Sequence, residues 1–129
     1  MITTDYIPSG VVRKNVALSV PKPCFIKHGK RLLRIVKEEV VSLTADGHVC
    51  NLHVVGRRSP YVLSESFKNI ADKFHDVLTM VRRGVAVNMN YVTAIENGAL
   101  KLSWDDREAE FAYSKENYSN ILSAIELIE

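Results

Sequence analysis

Along most of this chain apolar and polar residues alternate in short runs separated by turn residues, and they settle into a helical spacing only twice. That pattern predicts a mainly β domain with two short helices. Phe25-Ile26-Lys27 and Arg31 to Val36 read as a hairpin around Gly29, and Val40 to Leu43 as a short strand. Asp46-Gly47 is a hairpin turn signal, because both residue types tolerate positive φ. Beyond it Cys50, Leu52 and Val54 alternate with Asn51 and His53; Gly56 to Pro60 turns, and Tyr61-Val62-Leu63 pairs back.

Phe67, Ile70, Ala71, Phe74 and Leu78 fall on one helical face, with Ser64 placed to cap the start. Val85 and Val87 return to period two. Asn97-Gly98 is a second hairpin turn between Tyr91–Ile95 and Leu100–Trp104. Asp105-Asp106 then turns the chain into Ala109, Phe111 and Tyr113. Ser114 is positioned to cap a last helix with Tyr118, Ile121, Leu122 and Ile125 on its apolar face. Strands this short and hairpin-linked pair antiparallel. Residues 1–23, punctuated by Pro8, Pro21 and Pro23, read as an arm or linker with at most one added edge strand; residues 24–129 form the domain.

With 129 residues, 47% hydrophobic and 25% charged, the chain can bury a single core without a covalent staple. No apolar run approaches the roughly 20 residues of a membrane helix, and the first residues lack the build of a signal peptide. Cys24 and Cys50 form no spaced motif. A cytoplasmic protein with no membrane partner is expected. The net charge of +2 announces no nucleic-acid binder, so any such role depends on where the charges sit.

Candidate chemistry is sparse. Asp105 and Asp106 are adjacent, which suits a solvated turn better than a paired-carboxylate site. The glycines are scattered singly and build no phosphate loop. His48 and Cys50 share a strand face, but two ligands leave a structural zinc site incomplete. Neither an enzyme nor a cofactor is expected. The remaining polar signal is basic and local: Lys27, His28, Lys30, Arg31 and Arg34 in the first hairpin, the pairs Arg57-Arg58 and Arg82-Arg83, and Lys115. Converging, these cations would line a phosphate track.

The stretch Val81-Arg82-Arg83-Gly84-Val85-Ala86-Val87-Asn88 resembles the segment R-x-H-R-S-y-x-V-N of the LytTR family of bacterial transcriptional regulators. Its surroundings are similar too. Ser64-Glu65-Ser66-Phe67-Lys68 resembles the family's S-L-x-x-L helix start, and Asn90 to Ile95 its following strand. Glu39 to Leu43 with Asp46-Gly47 resembles the family's first sheet segment. The likeness runs from about Cys24 to Leu122.

The resemblance implies elongated antiparallel β-sheets whose loops enter successive major grooves of double-stranded DNA, in the output domain of a two-component response regulator. It assigns DNA contacts to His48, to Arg82, Arg83 and Gly84, to Asn88, and to Lys115 and Glu116 at the start of the last helix. Arg83 takes the base-contacting place, where a guanidinium can bridge guanine O6 and N7. A second copy on a repeated half-site is an expected partner. No signal-receiver pattern precedes the likeness. The signal then comes from a separate signalling protein, or the chain is part of a longer regulator, or it stands alone. Two positions depart from the family: Glu116 stands where an arginine is usual, and Val49 replaces a frequently polar neighbour. Glu116 and the balanced charge point to an alternative, a protein-interaction module that keeps the fold and has lost DNA contact.

Overall fold

The computed structural model describes residues 22–129, so the arm expected over residues 1–23 lies, but for Lys22 and Pro23, outside the described residues. Strands β1 (Cys24–His28) and β2 (Arg31–Ile35) form a hairpin. β3 (Val40–Asp46), β4 (Val49–Val54) and β5 (Tyr61–Leu63) lead into helix α1 (Phe67–Lys73). β6 (Thr79–Arg82) and β7 (Val85–Val87) follow, then a meander of β8 (Val92–Glu96), β9 (Ala99–Trp104) and β10 (Arg107–Ala112), and finally α2 (Tyr118–Ser123). The pairings are antiparallel throughout, as the short hairpin-linked runs predict. The central sheet has five strands in the order β5-β4-β3-β7-β6, and the meander makes a separate three-stranded sheet.

The central sheet buries both faces. On one side Val40, Leu43, Leu52, Val54, Leu63 and Ala86 pack under Ile70 and Phe74 of α1 and under Ile26 and Ile35 of the β1–β2 hairpin. On the other, Val41, Val81, Val85 and Val87 meet Leu100, Leu102 and Trp104 of the meander and Ile121 of α2. β3 buries four residues in succession, Val40 to Leu43, because both faces of the sheet are covered, and a bulge at Val41 lets Val40 and Leu43, three residues apart, face the same core. Each such aliphatic side chain contributes roughly 1.5–3 kcal/mol on burial, so both cores stabilise the sheet that carries the turns described below.

Several local expectations are corrected. Ser66, not Ser64, caps α1: its hydroxyl accepts from the Asn69 amide at 3.2 Å. The helix ends at Lys73, and Leu78 reaches the core from the turn beyond it. Ser114 does not cap by its side chain; its hydroxyl accepts instead from the Asn117 side-chain amide at 2.8 Å. Asp46 pairs with Val49, so the β3–β4 turn is Gly47-His48, with positive φ at the glycine alone. Of the expected apolar face of the last helix, Ile121 is buried while Tyr118 and Leu122 are exposed.

Candidate nucleic-acid interface

Two hairpin turns share one end of the central sheet. Thr44 of β3 pairs with Val85 of β7, which brings the Gly47-His48 turn and the Arg83-Gly84 turn alongside each other. Ala45 N donates to Gly84 O at 2.8 Å and ties the two together. Gly84 has φ +76°, and a Cβ there would meet the Ala45 Cβ at 3.3 Å, so both the backbone and the close approach favour glycine. The start of the last helical segment joins them: Ser114 N donates to Val81 O at 2.9 Å, one residue before Arg82.

The structure thus brings His48, Arg82, Arg83, Gly84, Lys115 and Glu116 to one end of the fold, and the side chains of His48, Arg82, Arg83, Lys115 and Glu116 are exposed. Among the described residues, no ion pair engages Arg82, Arg83 or Lys115. Lys68 of α1, which sequence reasoning passed over, lines with Arg82 and Arg83 an open depression of about 610 Å³ floored by Phe67, Met80 and Phe111. Its only sequence signal was its place after Phe67, on the solvent side of an amphipathic helix.

Asn88 leaves this set. It is 2% exposed; its Nδ2 donates to Val40 O at 2.9 Å and its Oδ1 accepts from Asn90 N at 3.0 Å. An amide held this way joins β3 to the turn after β7 and has no surface to offer a base or a phosphate.

The Arg57-Arg58 pair is engaged within the fold. Arg57 Nε donates to Ser59 O at 2.9 Å and its guanidinium lies 3.9 Å from the Tyr61 ring centroid. Arg107 donates to Arg58 O at 2.7 Å, and Asp105 accepts from Gly56 N at 2.8 Å. These contacts lock the loop after β4 to the β9–β10 turn, at the end of the sheet away from His48. They give Asp105 a structural role, and its φ of +53° fits a tight turn. Among the described residues no cluster of histidine, cysteine or carboxylate side chains could hold a metal ion, and no helix is long and apolar enough to cross a membrane.

A mainly β fold with three antiparallel sheets, two short helices and paired basic turns at one end defines the class: this is a LytTR-type fold. A solved structure carries it as well. The LytTr DNA-binding domain of a protein named as a methyl-accepting/DNA response regulator from Bacillus cereus matches with a TM-score of 0.58 and 16% identity, covering 82% of this chain and 100% of that one. No protein-family profile matches the chain. No curated protein matches it either.

Proposed function

We propose that this chain binds double-stranded DNA as a transcriptional regulator, using the end of the central sheet that carries the Gly47-His48 and Arg83-Gly84 turns. One observation carries the reading: the Arg82-Arg83 pair and Lys115, distant in sequence, stand together, exposed and without carboxylate partners among the described residues. Arg83, at the tip of a two-residue turn, reads a guanine edge, while Arg82, Lys115 and Lys68 hold phosphates. His48 sits at the neighbouring tip, where an imidazole can donate or accept at a base edge. Glu116, exposed beside Lys115, disfavours phosphate and suits a cytosine amino group. The reading places the protein in the cytoplasm with DNA as partner and without a catalytic role.

The test is selection from a pool of random duplex DNA at two salt concentrations. Enrichment of a motif, lost with Arg83→Ala, is the expected result. Salt-sensitive binding without enrichment would leave a backbone binder only. No binding at either salt would favour an interaction module, and Glu116→Arg would then be the variant to test for recovery.

A further inference from the structure

The outward face of the β1–β2 hairpin carries two cross-strand pairs, Phe25 with Arg34 and Lys27 with Leu32. All four side chains are exposed, Phe25 at 50% and Leu32 at 69%, while the opposite face of the hairpin buries Ile26 and Ile35. This is an apolar surface framed by two cations, and among the described residues nothing covers it. The chain also holds its complement. After α2 come Glu126, Leu127, Ile128 and Glu129, with Leu127 63% and Ile128 88% exposed. Two large aliphatic side chains left in water between two carboxylates are as unpartnered as the hairpin face.

The two surfaces cannot meet within one molecule. The hairpin packs on one face of the central sheet and touches β5, while α2 packs on the other face against β6, and β5 and β6 are the two outer strands. Four inter-strand spacings, about 19 Å, separate those strands. We infer that the hairpin face of one copy receives the Glu126–Glu129 segment of a second copy. Charge decides the pairing. Hairpin on hairpin sets Lys27 and Arg34 against like charges, and segment on segment does the same with Glu126 and Glu129; only hairpin on segment matches opposite signs and buries apolar surface on both sides.

Such a contact is heterologous and leaves a free hairpin and a free segment at the ends of any chain of copies. It is also small, well below the roughly 800 Å² per partner of a stable interface, so dilute protein stays monomeric. If the DNA reading above holds, half-sites in direct repeat present successive copies in one orientation. DNA then supplies the local concentration the contact lacks.

The test needs no DNA. Sedimentation of the full chain at low salt and rising concentration is measured for the wild type, for Leu32→Asp and for Ile128→Lys, both at exposed positions where folding is unaffected. The wild type rises in mass beyond a dimer, while each variant stays at the 14.5 kDa of the monomer. An equimolar mixture of the two variants forms a dimer and stops there, because only one hairpin and one segment remain competent. A wild type that stays monomeric at every concentration overturns the inference. So does a Leu32→Asp variant that associates like the wild type, or a mixture that fails to restore the dimer. A tandem-site duplex adds a separate reading: a cooperative gain of about five- to 150-fold, absent in either variant. Loss of all DNA binding with self-association intact would sink the function proposed above and leave this contact standing.

Discussion

Arg57-Arg58 and Arg82-Arg83 are the same signal in the sequence, a pair of arginines in a turn between strands. The structure gives them opposite roles. Arg57 lies over Tyr61 and bonds Ser59 O, and the Arg58 carbonyl accepts from Arg107. At the other end of the sheet Arg82 and Arg83 precede Gly84, are exposed, and take part in no ion pair among the described residues. A guanidinium stacked on an aromatic ring is already partly desolvated and held, so it stabilises the fold and has less to gain from a phosphate. An exposed one retains its full capacity for an anionic ligand. Partner geometry, not local composition, separates a structural cation from an available one.

The largest expected effect comes from the residue that left the interface. Asn88→Ala strips Val40 O and Asn90 N of their partners in the core, and should cost about 2–4 kcal/mol of stability in urea unfolding. DNA affinity measured on the fraction that stays folded should be unchanged; a selective loss of affinity would return Asn88 to the interface. Next, Arg83→Ala should cost about 1–3 kcal/mol on the selected duplex with no change in unfolding midpoint. Equal losses on cognate and scrambled duplexes would demote Arg83 from base reading to phosphate contact.

Arg57→Ala should behave in the reverse manner. Loss of the stack on Tyr61 costs stability by about 0.5–1 kcal/mol, with DNA affinity nearly unaltered. A drop in affinity as large as that of Arg83→Ala would erase the distinction between the two ends.

The smallest effect concerns His53, which stacks edge-on against Trp104 where the central sheet meets the meander. Burial, and secondarily the Arg107 charge, hold its imidazole below the ordinary histidine value of about 6.5. The folded state therefore resists protonation more than the unfolded chain does. Its contribution is present above that ordinary value and is lost as pH falls through it toward the lower folded-state value. Urea midpoints measured on either side should show this fall, and His53→Gln should flatten it. An unchanged slope in the variant would move the effect to other groups.

Much of this was legible in the sequence. Alternation at Cys50-Leu52-Val54 and at Leu100-Leu102-Trp104 gives strands with defined inward faces, and Asn97-Gly98 gives a turn with positive φ at both residues, as found. The LytTR-like stretch around Arg83 pointed to the fold that the structure shows. Four things were not legible. Strand β6 has a single buried residue, Val81, so no alternation marks it. The bulge at Val41 breaks the period of β3, which hides that this strand serves two cores. Asn88 follows Val87 in a motif that reads as functional, yet its amide donates to a backbone carbonyl 48 residues away, a long-range pairing no local pattern encodes. Likewise, the ring under Arg57 lies four residues on, but only the β4–β5 pairing brings it there.

The most direct test of the account is to follow every backbone amide by NMR while the selected duplex is added. Shifts concentrated at His48, Arg82 to Gly84 and Lys115 to Glu116, with Arg57 and Arg58 unmoved, are the predicted result. Shifts centred on the Arg57-Arg58 loop, or none at saturating duplex, would contradict it.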